Sequence, residues 1–215
     1  MSNPLNVQRN NYHINRKDNV ISTPDWLSLY IKKIVMSKYY WFHRIFDPCV
    51  GEGSLLKPWK DVEGANLIGM DINIPIDKQS YIMYIPNNFL DFTYDNDYIP
   101  DIVLMNPPFN TYEINKKWMK ENKVGKALLP ELFIDKVFTI WPKIPLVSIV
   151  PMGFRLNQRK KSSRWKKYSM GENKITSILS IPLDTFKGVE FHAEVLFWNM
   201  DRLDGHYWVN PEDVE

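Results

Sequence analysis

Asp101-Ile102-Val103-Leu104-Met105-Asn106-Pro107-Pro108-Phe109 is an apolar run of strand length that ends in a rigid polar corner. A short apolar run bounded by turn signals reads as a buried strand, and Asn-Pro stops it. Two consecutive prolines fix φ and remove two backbone donors, so the carbonyls there can only accept hydrogen bonds. Asn106 adds a side-chain oxygen, and Phe109 sets a flat aromatic face one step further on. Acceptors beside a stacking surface suit a planar group that carries an exocyclic amine.

Upstream, Phe42 to Val50 reads as a strand running into Gly51-Glu52-Gly53. Glycines in such a turn let the backbone approach a ligand closely. Ser54-Leu55-Leu56 is expected to open a helix with its amide donors facing that ligand, and Pro58 to keep the helix short or kinked. Ala65 to Ile72 is a second strand with Asp71 near its C-terminal end. A carboxylate about 20 residues after a glycine turn is where a ribose finds an acceptor for its hydroxyls. Tyr81 to Phe89 reads as the third strand. Earlier still, Thr23-Pro24-Asp25 reads as a helix start, with Thr23 as N-cap and Pro24 at the first helical position. Leu27, Tyr30, Ile31, Ile34 and Val35 then recur at helical spacing.

With both motifs in view, a resemblance can be stated. Asn106-Pro107-Pro108-Phe109 resembles the catalytic tetrapeptide of the S-adenosylmethionine (SAM) dependent methyltransferases that act on adenine N6. Asp47-Pro48-Cys49-Val50-Gly51-Glu52-Gly53-Ser54-Leu55-Leu56 resembles their SAM-binding turn, and the Thr-Pro pair N-terminal to it resembles the gamma-class motif order. The resemblance implies a Rossmann-like class I α/β fold, with a mostly parallel seven-stranded sheet flanked by helices. It implies Asn106, Pro107, Pro108 and Phe109 as catalytic residues. Thr23, Pro24, Asp47, Pro48, Gly51, Gly53, Leu55, Asp71, Ile72, Asn88, Phe89 and Asn106 would line the cofactor. Asp47 would meet the ammonium group of SAM, and Asp71 the ribose. Where the family often has Asp-Phe-Leu against the cofactor's adenine, this chain has Asn88-Phe89-Leu90, with Asp91 one register away. Cys49 reads as a packing residue within the turn.

Downstream of the corner, Lys116, Lys117, Lys120, Lys123 and Lys126 surround Trp118. They suit either a solvated helix face or a loop that meets phosphates. Leu129 to Trp141 reads as an amphipathic helix, and Leu146 to Val150 as the fifth strand. Arg155, Arg159, Lys160, Lys161, Arg164, Lys166 and Lys167 follow, with Trp165 and Tyr168 among them and no acid. Such clustering on a chain of net charge +2 is the footprint expected for a phosphate backbone. Ile175 to Ile181 and Glu194 to Asn199 read as a closing antiparallel pair of strands.

The 215 residues suffice for one domain: an N-terminal arm over 1–20, a catalytic domain over 21–200 with a basic insert near 152–173, and a tail over 201–215. One cysteine excludes an internal disulfide and suits a reducing cytosol; the resemblance implies the cytoplasm of a bacterial or phage-infected cell. No apolar run reaches membrane-span length, and the four histidines lack metal-ligand spacing. DNA is the partner that the resemblance implies. RNA adenine, a protein glutamine and a noncatalytic nucleic-acid-binding subunit are the alternatives. Without a large target-recognition domain in this stretch, sequence choice would fall to loops, a second copy in a homodimer, or a separate specificity subunit.

Overall fold

The computed structural model describes residues 21–93, 98–109, 119–121, 128–156, 167–168, 171–186, 192–210 and 212. Expectations placed on Lys116, Lys117, Arg159, Lys160, Lys161, Arg164, Lys166, Trp165 and the arm over 1–20 lie outside the described residues. Eight strands form one sheet: β1 (Arg44–Asp47), β2 (Asn66–Asp71), β3 (Met83–Pro86), β4 (Ile102–Met105), β5 (Leu146–Pro151), β6 (Ile175–Ser180), β7 (Ala193–Trp198) and β8 (His206–Trp208). Their order is β3-β2-β1-β4-β5-β7-β6-β8. Each neighbouring pair is parallel except the two that involve β7.

Alternation along the strands divides the core between the two faces. Ile102 and Leu104 of β4 point into a cluster built with Leu27, Ile31 and Val35 of helix α1 (Asp25–Met36). Val103 and Met105 point the other way, onto Phe133, Ile134 and Val137 of helix α2 (Leu129–Ile140). β4 is buried at all four positions, as a strand covered on both faces must be. A single turn of helix, α3 (Gly153–Leu156), follows β5.

Three expectations change. The sheet has eight strands, because His206–Trp208 adds a parallel strand beyond β6, pairing Ile178 with His206. Three residues are too few to show a period, so nothing in the sequence marked this strand. The link to it turns on Asn199 at φ 57°, whose side chain bonds the Ile144 carbonyl and the Lys174 amide. After the glycine turn, the chain forms turns, and the helix expected to open at Ser54 is a short 3-10 helix that begins only at Lys57 (Lys57–Asp61). Pro58 sits in its first positions and cannot donate to an α-helical ladder. Thr23 does not cap α1: Pro24 holds the N-cap position and no side chain caps it.

Candidate active site

β1 leads outward on the sheet to β2 and β3, whereas β4 leads to β5 on its other side. The order of connection therefore reverses between the parallel strands β1 and β4, and in such sheets the ligand crevice lies beyond the C-terminal ends of the strands at this switch point. The two motifs end the two strands that flank it: Asp47 closes β1, and Asn106 follows β4.

The turn after β1 is closed by its own neighbourhood. Asp47 is 2% exposed, and its Oδ1 accepts the backbone N–H of Cys49 at 2.9 Å. Burial pushes its carboxyl up to about 7, with the nearby Asp71 adding to the rise and the Cys49 amide opposing it. The same burial, with Asp47 and Asp71 beside it, holds the Cys49 thiol well above its ordinary range. That fits a packing residue and disfavours a thiolate. Gly51 and Gly53 have φ of 48° and 86°, which side chains rarely adopt. A Cβ on Gly53 would also stand 2.5 Å from Ile82 Cδ1 and 3.1 Å from the Tyr84 hydroxyl. Asp71 Oδ2 accepts Gly51 N–H at 3.0 Å and its Oδ1 accepts Asn73 N–H at 2.9 Å. One carboxylate thus ties the turn to the end of β2 and keeps lone pairs on both oxygens.

The corner after β4 is held from far away in the chain. Asn106 Nδ2 donates to Thr23 Oγ1 at 3.1 Å and to the Ile21 carbonyl at 3.3 Å. Both N–H groups are thereby used, and the Oδ1 of the planar amide is left as an acceptor. Pro107 is buried and Pro108 half-buried. Phe109 packs part of its ring against the α1-side core.

The remaining expected residues divide. Pro48 is buried behind the turn, and Leu55 is a core residue at 4% exposure, whereas Ile72 stands 51% exposed just past Asp71. Asn88 Oδ1 accepts Leu90 N–H while its Nδ2 donates to Asp91 Oδ2, so the two candidates for an adenine contact are linked. Phe89 is 1% exposed and stacks with Phe92 and Phe133. It packs within the core on the α2 side of the sheet. Of the basic segment, Arg155 pairs with Glu194 at 3.1 Å and Lys167 pairs with Asp135. Tyr168 is buried, with its hydroxyl on Asp135 and its ring against Phe154 and Trp198. Tyr168 thus packs between α2 and β7.

Sequence reasoning missed three contributors. Gly69 stands opposite Asp47 in the sheet, and a Cβ there would lie 2.4 Å from Val50 Cγ2. It lets the turn fold down over β2, where Val50 N–H reaches the Met70 carbonyl at 3.0 Å. A glycine inside a strand was the available signal. The Ile21 carbonyl and Ser22, whose hydroxyl is 2.8 Å from that of Ser54, carried no signal. Among the described residues there is no cluster of three metal-binding side chains and no helix long and apolar enough to cross a membrane.

No family model matches the chain, and no curated protein matches it in sequence. Solved structures do match. A protein from Vibrio vulnificus described as a modification subunit of a type I restriction enzyme is 15% identical, with a TM-score of 0.66 over 96% of this chain and 50% of its own. One from Listeria monocytogenes, described as a class I SAM-dependent methyltransferase, is 17% identical, with a TM-score of 0.62 over 86% of this chain and 62% of its own. The methyltransferase subunit of a type I restriction-modification system from Streptococcus thermophilus is 15% identical, with a TM-score of 0.58 over 87% of this chain and 46% of its own. The chain spans about half the length of the two restriction-system subunits. At these identities the likeness is one of fold.

Proposed function

We propose that this chain, which has the fold of class I SAM-dependent methyltransferases, transfers a methyl group from SAM to the N6 amine of adenine in DNA. The observation that carries this reading is the meeting of two corners at one crevice. A glycine turn lined by Asp47 and Asp71 ends β1, and an Asn106 amide with its oxygen free to accept follows the neighbouring strand β4.

The residues of the turn suit the cofactor. Gly51 and Gly53 let the backbone take φ values that side chains rarely adopt, which shapes the turn, and Asp47 offers a buried carboxyl group to an ammonium group. Asp71 offers two oxygens to ribose hydroxyls, Ile72 an exposed apolar side chain to an adenine face, and Asn88 or Asp91 an acceptor to its amine. Pro24, Pro48 and Leu55 back this cradle. When bound, SAM supplies an electrophilic sulfonium methyl group.

An adenine amine is a poor nucleophile, because its lone pair is delocalised into the ring. Asn106 Oδ1 and the Pro107 carbonyl each accept one of its N–H groups, which draws the nitrogen toward tetrahedral geometry and aims the lone pair. Positioning and fixed dipoles supply the acceleration. As the nitrogen–methyl bond forms, the sulfur–methyl bond breaks to leave a neutral thioether, and the cationic nitrogen gives its extra proton to water afterward, so no base is needed before the new bond forms. Phe109 stacks on the base, which a duplex must first flip out. DNA is favoured because the matched subunits of restriction systems are described as modification and methyltransferase proteins. Phosphate contacts are assigned to Lys116, Lys117, Arg155, Arg159, Lys160, Lys161, Arg164, Lys166 and Lys167. Replacing Lys160, Lys161, Lys166 and Lys167 together by Ala should weaken DNA binding and flatten its dependence on salt. An unchanged salt slope would reassign the segment to a solvated surface.

The deciding experiment offers tritiated SAM with double-stranded DNA, single-stranded DNA, RNA and protein extract, followed by nucleoside mass spectrometry. N6-methyladenine in DNA is expected. Label confined to RNA or protein would overturn the substrate while keeping the cofactor site.

A further inference from the structure

We propose that Thr23 is a positioning residue for Asn106, carried on a strap over residues 21–25 that is fastened to the glycine turn. The inference rests on the reading of Asn106 as acceptor of the target amine.

Thr23 is 5% exposed although it precedes the helix, and its hydroxyl takes no part in capping. Its Oγ1 instead accepts from Asn106 Nδ2, alongside the Ile21 carbonyl. An amide that rotates by half a turn exchanges its oxygen for an NH2 group. Facing an exocyclic amine, that NH2 would set donor against donor and remove the acceptor on which the proposed transfer depends. Two acceptors on the nitrogen side exclude the rotated state, since it would turn the amide oxygen toward the Ile21 carbonyl oxygen. The Thr23 hydroxyl could accept or donate, so the carbonyl sets which way the amide faces, and the hydroxyl holds the amide in place by a second bond on the same side.

The strap is built to hold that arrangement. Pro24 restricts Thr23 to extended backbone, which fixes the direction of its side chain. Ser22, pointing the other way, bonds Ser54 beside the glycine turn at 2.8 Å, and Asp25 pairs with Lys57. One short segment therefore touches both corners of the crevice, with Ile21 and Thr23 on the catalytic side and Ser22 and Asp25 on the cofactor side.

The test compares Thr23→Val, which keeps the shape and loses the hydroxyl, with Thr23→Ser, which restores it. Three quantities are read in the full chain: single-turnover methyl transfer to adenine-containing DNA, SAM affinity by calorimetry, and hydrogen exchange of the Asn106 side-chain amide by NMR. The amide signal is assigned by its loss in Asn106→Asp. The valine variant should transfer about tenfold more slowly. It should bind SAM within about twofold of the parent, because the Thr23 hydroxyl, expected from the sequence to line the cofactor, is here engaged by Asn106, and it should exchange the Asn106 amide faster. Serine should restore both rate and protection. Unchanged amide exchange in the valine variant would overturn the proposal. So would a loss of SAM affinity that accounts for the whole loss of rate, because Thr23 would then be a cofactor ligand. If the parent protein methylates no adenine, the proposed function fails on its own, and the amide exchange still decides the role of Thr23.

Discussion

The two corners that flank the crevice are held in opposite ways. In the turn after β1, the two carboxyl groups are satisfied within the turn or by the end of the adjacent strand: Asp47 by Cys49, Asp71 by Gly51 and Asn73. In the corner after β4, the polar side chain Asn106 is fixed by residues 83 and 85 positions away along the chain. The first arrangement is a local fold of the backbone that places acceptors around a ligand. The second is a tertiary contact that orients one amide. A site that must bind can be assembled from nearby residues, whereas a group that must face its reactant in one of two near-equivalent orientations needs a distant partner to break the tie.

The largest expected effect breaks the remotely held corner. Asn106→Ala should reduce methyl transfer by about 10³-fold while SAM still binds, an amount typical of removing one preorganised polar group from an active site. Turnover near that of the parent would sink the proposed mechanism.

Gly53→Ala should break the locally closed turn. The added Cβ meets Ile82 and keeps a φ of 86°, so a stability loss of about 2 kcal/mol is expected by denaturant unfolding. SAM affinity should fall with it. A variant that unfolds and binds like the parent would show that the turn relaxes freely and is not a rigid cradle.

Proton linkage sharpens the comparison further, because it belongs to the turn alone. The Asp47 carboxyl lies at about 7 in the folded protein against an ordinary 3.8. The folded state therefore binds the extra proton between those values, and this group's contribution makes stability fall as pH rises from 3.8 toward 7. An ammonium group favours the ionised carboxylate, so SAM affinity should drop about tenfold per pH unit below that midpoint. Calorimetry in buffers of different ionisation enthalpy should record proton release near neutrality. Affinity that stays flat between mildly acid and mildly alkaline pH would remove Asp47 from the ammonium site.

The smallest effect is expected at the link between the corners. Ser22→Ala removes an exposed hydroxyl contact to Ser54, and turnover should fall by no more than about threefold. A loss as large as that of Thr23→Val would mean that the strap depends on this one contact.

Much of the fold was legible because hydrophobic period and turn residues are local signals. The expected helix over Leu129 to Trp141 is observed over Leu129–Ile140, and the expected strand over Leu146 to Val150 extends by one residue to Pro151. The two corners were legible for the same reason, since glycine and proline limit φ wherever they stand. Thr23 was misread as an N-cap because Thr-Pro-Asp before an apolar helix satisfies every local rule for one. Only the position of β4 beside α1 brings Asn106 within reach of it. The packing of Phe89 on Phe92 and Phe133 was not legible, because an aromatic after a strand looks the same whether it meets a ligand or other rings.

By itself, then, the sequence determined the alternation of strands and helices, the buried character of the central strands, and the chemistry available at residues 47–53 and 106–109. Each of these is set by the conformational limits and polarity of residues close together in the chain. Tertiary structure alone decided that β8 joins the sheet, that Gly69 makes room for Val50, and that Thr23 and Ile21 hold Asn106. Those outcomes depend on which groups are brought together across long loops, and a hydrogen bond or a steric gap has no local signature until both sides are in place.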